Sequence, residues 1–212
     1  YQGESNANRE TAHEYNRLMI DLIKDWRAHF QSGTFPFLQV QLANFGKEAD
    51  LQPDSTWAPL REAQLKALEL PNTGLAVTID VGEADNIHPI DKRTVGHRLA
   101  QWALTQVYGQ TGTPGSPLYK GCRTEGQSVR VFFENARDGL SLREGHSVQT
   151  LFITDDECEW KPAQSRIEGA TLVVWHDEIA QPTNVCYAWA GNPAKANLVN
   201  VAGYPASPFR TT

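Results

Sequence analysis

The first half of the chain alternates between two apolar rhythms. Tyr15, Leu18, Leu22, Trp26 and Phe30 stand three or four residues apart, with Met19 and Ile23 beside them, and predict one apolar stripe on a helix over residues 9–31. Asn8 or Asn6 is placed to cap its start and Gly33 to end it. Residues 35–45 (FPFLQVQLANF) form a short apolar run with Val and aromatic character, read as a buried strand. After a polar loop over 46–56, Ser55 or Thr56 caps a second helix; Pro59 suits its first turn, and Leu60, Ala63, Ala67 and Leu68 face a core up to Pro71. Residues 75–81 (LAVTIDV) are a continuous apolar strand of the kind buried on both faces of a parallel sheet. Asp91 caps a third helix whose Val95, Leu99, Trp102 and Ala103 face one way. Helices alternating with strands over 1–109 predict a parallel α/β sheet with its ligand site at the carboxyl ends of the strands.

Residues 110–117 (QTGTPGSP) break this pattern and read as a linker. Beyond it the period becomes alternating: 128–134, 149–154, 170–176 and 184–190 are short strands between Gly, Asp and Pro turns, as in a β-sandwich over 118–212. The Asn-, Gly- and Pro-rich stretch 192–212 reads as ordered loop.

Composition narrows the class of function. A net charge of -6 with 21% charged residues argues against a nucleic-acid partner, which needs concentrated positive charge. No apolar run approaches the ~20 residues that a membrane-crossing helix needs, so no membrane partner is expected, and neutral or sugar-like ligands fit better. Cys122, Cys158 and Cys186 show no CxxC spacing, which disfavours a thiolate metal site; they read as small buried apolar side chains, with one disulfide as the alternative. The chain begins at Tyr1 and has its only methionine at Met19, inside a helical pattern, so it is expected to be part of a longer protein.

The chemistry concentrates in Glu83-Ala84-Asp85-Asn86-Ile87-His88-Pro89, between the second strand and the third helix. A carboxylate at Asp85 can hold the Nδ1 proton of His88, fix its tautomer and leave Nε2 as a general base for a hydroxyl. An Asp-x-x-His spacing is common by chance, and the plain alternative is a pair that only pins the loop. Its position at the carboxyl end of a buried strand raises the catalytic reading. Ser5, in Gly3-Glu4-Ser5-Asn6, sits at a turn into a helix as many nucleophiles do. Its neighbours suit a different role. Gln2 offers an amide donor and Gly3 a close backbone approach, which fit an oxyanion or a substrate carbonyl. A simple helix-capping turn is the alternative there. Trp26, Trp102, Trp175 and Trp189 read as core, leaving Trp57 and Trp160 as weak sugar-stacking candidates.

Together YQGESNAN, LAVTIDVG leading into EADNIHPIDKRTVGHRLAQWAL, SPLYKG, and YAWAGNP with NL and GYPASPFRT resemble the sialate O-acetylesterase family of carbohydrate esterases, within the SGNH-hydrolase superfamily. The resemblance implies a flavodoxin-like α/β catalytic domain with β-sandwich material attached, and an enzyme that removes O-acetyl groups from sialic acid or a related sugar. It implies Asp85 and His88 as two members of a Ser-His-Asp triad, Gln2 as an oxyanion donor, Gly3 and Glu4 in the same block, and no metal or organic cofactor. The family's nucleophilic serine lies in a Gly-Gln-Ser-Asn type turn ahead of the residues present here, so the expected partners are an O-acetylated carbohydrate and an N-terminal segment carrying that serine. An exported, periplasmic or secreted bacterial enzyme is implied by the resemblance alone. A carbohydrate-binding or scaffolding fragment without catalysis is the alternative reading.

Overall fold

The computed structural model describes residues 1–156 and 159–211, and it divides into two compact units. The first comprises residues 1–46 and 54–115; the second comprises residues 47–53 and 116–212. The class is the mixed α/β one expected, with a parallel sheet and helices in the first unit and antiparallel sheets in the second.

In the first unit, Asn8 Oδ1 accepts the backbone N–H groups of Glu10 and Thr11 at 3.0 Å each and so starts a single 3-10 turn, Ala12–Glu14. Helix α1, Tyr15–Phe30, follows and stops where Gln31 turns left-handed at φ 53°. Only Tyr15, Met19 and Ile23 of its apolar residues are buried; Leu18, Leu22, Trp26 and Phe30, expected on the core side, are exposed. The core beneath is too narrow to reach them. It consists of Ala12, Leu42, Leu60, Ala63 and Ala67, with Phe37, Trp57 and Leu70 at its margin.

Strands β1, Phe37–Val40, and β2, Thr73–Ala76, pair in parallel with Phe37 opposite Thr73 and Val40 opposite Ala76. Both are shorter than the apolar runs predict, and β2 begins earlier than residue 75. The ladder ends after Gln41 N–H donates to Ala76 O at 2.9 Å, because side chains then take over the backbone groups. Fully buried Arg61, on helix α2 (Trp57–Leu65), donates from Nε to Leu42 O and from Nη2 to Ala43 O, each at 2.7 Å. Gln64 accepts Leu42 N–H at 2.9 Å, and Thr78 donates its hydroxyl to Gln41 O. Val77 and Ile79 stay buried without belonging to a strand. Burial pulls the Arg61 guanidinium below its ordinary range. Helix α3, Lys92–Gln106, is capped as predicted by Asp91, whose Oδ1 accepts Thr94 N–H at 2.9 Å. It lies against β2 so closely that a Cβ on Gly74 would sit 2.5 Å from the Trp102 ring.

The second unit contains β3 (Leu118–Glu125), β4 (Ser128–Glu134), β5 (Leu140–Leu142), β6 (Leu151–Thr154), β7 (Lys161–Pro162), β8 (Gln164–Glu168), β9 (Thr171–Trp175), β10 (Asn184–Tyr187), β11 (Leu198–Asn200) and β12 (Phe209–Arg210). They form antiparallel sheets ordered β3-β4-β9-β8, β12-β10-β6-β7 and β11-β5. The stretch expected to be loop thus contributes two strands, each paired with a strand distant in sequence. Residues 47–53 join this unit through Ala49 N–H to Asn192 O at 3.1 Å and Gln52 N–H to Trp189 O at 2.9 Å. Cys186 is buried as expected, whereas Cys122 is exposed because β3 is an edge strand; Cys158 lies outside the described residues.

Candidate active site

The Asp85–His88 motif occupies a turn built by Asn86. Its amide nitrogen donates to Glu83 Oε2 at 2.9 Å while its Oδ1 accepts His88 N–H at 3.0 Å. The turn is fastened to the segment leaving β1: Gly82 N–H donates to Asn44 Oδ1 at 2.7 Å, and Gly46 N–H donates to Ala84 O at 2.9 Å. Gly82 has no substitute, since a Cβ there would lie 2.1 Å from Asn44 O. Below the turn, buried Arg98 of α3 grips Asp80 with two bonds of 2.6 and 2.7 Å and also donates to Val77 O at 2.7 Å. This fork fixes the helix to the strand end from which the turn departs.

The N-terminal block meets the turn from the other side. Tyr1 donates its hydroxyl to Ile87 O at 2.8 Å, and its ring stands edge-on to the His88 imidazole at 6.2 Å between centroids. Gln2 O accepts Tyr15 Oη at 2.8 Å and Gln64 Nε2 at 3.1 Å. Gln2 Oε1 also accepts from Tyr15 Oη. With its oxygen engaged, the Gln2 amide nitrogen is the end left to donate. Burial, and secondarily the Glu4 charge, push the Tyr15 phenol well above its ordinary pKa, so it stays a donor. Gly3 is required twice over: its φ is 127°, and a Cβ would lie 2.9 Å from Leu60 Cδ2 and 3.0 Å from Tyr15 Cζ.

Glu4 opens the 3-10 turn Glu4–Asn6. Its Oε1 stands 3.4 Å from His88 Nε2, with side-chain exposures of 19% for Glu4 and 68% for His88. The Asp85 side chain is exposed, and no hydrogen bond or ion pair joins it to His88 among the described residues. The structure therefore brings Glu4 and His88 together, while Gln2 and Gly3 of the same block are anchored on Tyr15, Gln64 and Leu60, and Asp85 is exposed. Ser5 is exposed on the 3-10 turn.

Sequence reasoning missed Tyr1, Tyr15, Gln64 and Asn86 as supports of this site. Two of them carried a signal: Gln64 is a polar residue four positions after Leu60 on a core-facing helix, and Asn two residues before His88 is a turn-former. Among the described residues no group of three or more His, Cys, Asp or Glu is arranged to hold a metal ion.

An imidazole beside a carboxylate, on a turn that follows a parallel strand pair, can take and return a proton. Comparison with known proteins gives the class first: residues 1–105 match a family model of carbohydrate esterases. The family is that of the sialic acid-specific acetylesterases, and residues 1–105 are similar to it. Sialate O-acetylesterases from Mus musculus and Homo sapiens are each 28% identical over 99% of this chain, which covers 43% and 44% of their lengths. The crystal structure of a carbohydrate acetylesterase from Xanthomonas citri matches with a TM-score of 0.92 at 42% identity, over 100% of this chain and 49% of that one. The chain thus spans less than half the length of these relatives.

Proposed function

We propose that this chain supplies the imidazole-bearing part of an esterase that removes O-acetyl groups from sialic acid or a related acetylated sugar. The observation that carries this reading is His88 held on a fastened turn with Nε2 3.4 Å from Glu4 Oε1. The attacking serine is supplied by polypeptide outside these 212 residues. Its oxygen forms a bond to the acetyl carbon while His88 takes the hydroxyl proton. Gln2 Nε2 and backbone N–H groups donate to the oxyanion. Collapse breaks the bond to the sugar oxygen, which leaves with the proton from the imidazolium. Water, activated by the same imidazole, then releases acetate and regenerates the serine.

In the assignment carried over from the family pattern, Asp85 steadies the imidazolium through Nδ1 and Nε2 faces the serine. One observation favours a second assignment: Nε2 faces Glu4, so Glu4 is the steadying carboxylate and Nδ1 faces the serine. Both leave His88 as the base. The test is His88→Ala in the esterase assembled with its serine-bearing part, assayed on p-nitrophenyl acetate. The expected fall in kcat/KM is about a thousandfold or more. Near-normal turnover overturns the proposal.

A further inference from the structure

We infer that the second unit carries a carbohydrate-binding site of its own: a cavity between the loop after β5 and the segment before β11 that takes an uncharged sugar. The cavity holds about 470 Å3 and is lined by Arg143, Glu144 and Gln149 from the loop and by Ala194, Lys195 and Ala196 from the segment. It lies outside residues 1–105, which the esterase family model matches, and shares no residue with the His88 site.

One buried side chain holds the loop in shape. Asn197, 6% exposed, donates its two amide hydrogens to Glu144 O at 2.8 Å and Ser147 O at 2.9 Å, while its Oδ1 accepts Gln149 N–H at 2.9 Å. Its backbone O accepts Arg143 N–H at 2.9 Å, next to the Leu142–Leu198 pair that ends the β5–β11 ladder. Gly145 turns at φ 77°, a conformation that side-chain-bearing residues rarely adopt. Of residues 143–149 only Val148 is buried, so the core gains little from this order. Fixing exposed backbone costs conformational entropy, and a preset binding surface is what such a loop provides.

The chemistry of the lining selects the ligand. Arg143 and Glu144 bring one charge of each sign, and the Lys195 ammonium is already met by Asp50 at 3.2 Å and Glu48 at 3.6 Å. No excess of positive charge is left to hold a multiply charged anion. The apolar part of the lining is two alanines, and the described lining residues include no aromatic ring or long aliphatic chain for an oily ligand. Guanidinium, carboxylate and amide side chains around one small cavity offer donors and acceptors side by side, which matches the adjacent hydroxyls of a sugar. Gln149 shows the pattern: its Nε2 donates to Ser147 Oγ at 2.9 Å, and its Oε1 is the accepting end. The volume falls in the lower part of the ~300–1,000 Å3 range of small-ligand pockets. The inference rests on the esterase reading above only for choosing a sugar among hydroxyl-rich molecules.

The test is to titrate the isotope-labelled chain with D-glucose, D-galactose, D-mannose and D-xylose, and separately with N-acetylneuraminic acid and inorganic phosphate, while following amide NMR shifts. A saturable shift at Gly145, Gln149 and Ala196 is expected with at least one of the neutral sugars, in the millimolar range. Glu144→Ala and Gln149→Ala remove exposed side chains and leave the Asn197 bonds to the backbone in place; each should weaken binding at least about fivefold. Lys161→Ala, on β7 outside the cavity, should change it less than about twofold. Unaltered circular dichroism checks that the variants fold. No saturable shift with any of the neutral sugars overturns the inference, as does binding indifferent to both cavity substitutions. So does tighter binding of N-acetylneuraminic acid or phosphate that Arg143→Ala abolishes, since the site would then select anions. Sugar binding by a chain whose assembled esterase proves inactive would refute the catalytic reading and leave this site standing; an active esterase without sugar binding here would do the reverse.

Discussion

Two acid–base pairs flank the end of β2, and they are built in opposite ways. Arg98 and Asp80 are each only 8% exposed and meet through a two-bond fork. Glu4 and His88 approach to 3.4 Å with the imidazole largely in solvent. The first has the rigid geometry of a structural clamp, because a buried charge must be matched closely to be tolerated. The second leaves its imidazole largely in solvent on a backbone turn held by Asn44 and Asn86, so its ring still has to be positioned by further contacts before it can serve as a proton-transfer group. The difference teaches that rigidity here is placed under the site, in Arg98, Asp80, Asn44 and Asn86, and withheld from the imidazole itself.

The largest expected effect breaks the clamp. Asp80→Ala leaves Arg98 buried without its carboxylate and should cost about 3–5 kcal/mol of stability. Urea unfolding followed by far-UV circular dichroism measures it; a loss below about 1 kcal/mol would show that the pair is replaceable. The next substitutions act on the open pair. In the assembled esterase Glu4→Gln should lower kcat about ten- to a hundredfold with little change in KM, equivalent to about 1.4–2.7 kcal/mol. Asp85→Asn should change kcat less. The reverse order of effects would return the steadying role to Asp85. Neither substitution should shift the unfolding midpoint much, because both carboxylates lie outside the clamp.

How much of this was legible in the sequence follows the same division. The order of helices and strands, the Asp91 cap and the turn at Asp85–His88 are written locally, in periodicity and in capping residues, and the structure contains all of them. The exposure of Leu18, Leu22, Trp26 and Phe30 is not, because periodicity reports which residues share a stripe and not how wide the core beneath it is. The early end of β1 depends on Arg61 and Gln64, polar side chains from a helix well separated in sequence that capture strand backbone groups. β11 and β12 depend on partners at Leu140–Leu142 and Asn184–Tyr187. The approach of Glu4 to His88 joins opposite ends of the first unit's sequence and leaves no local mark.

Gly3 tests whether the N-terminal block is as firmly held as the turn it meets. Gly3→Ala puts a methyl group at φ 127° and within 2.9 Å of Leu60, which should cost about 1–3 kcal/mol and displace the Gln2 amide. A thermal melt reads the first effect. Activity of the assembled esterase reads the second, and an unchanged kcat would show that Gln2 does not need its present anchor.

The smallest effect lies in the second unit, where a solvent-facing cluster offers the counterpart to the buried clamp. Arg130 donates from Nε to both oxygens of Glu125 at 3.0 Å and from Nη1 to Glu168 at 2.9 Å. These bonds, with that of Arg123, pull the Glu125 carboxyl from its ordinary 4.5 down to about 2, and Arg130 and Arg166 lower Glu168 in the same direction. A depressed folded-state pKa means that the unfolded chain binds more protons between those two values. The contribution is therefore complete above about pH 4.5 and is lost as pH falls toward 2. Solvent screens these groups, so the slope should be shallow, and Glu125→Gln should flatten it without altering the melting temperature at pH 7 by more than about 2 °C. Melting curves collected from about pH 5 to about pH 2.5 decide the matter: an undiminished slope in Glu125→Gln would assign the acid sensitivity to carboxylates elsewhere, and a steep collapse would show that this exposed cluster resembles the Arg98–Asp80 clamp more than its setting suggests.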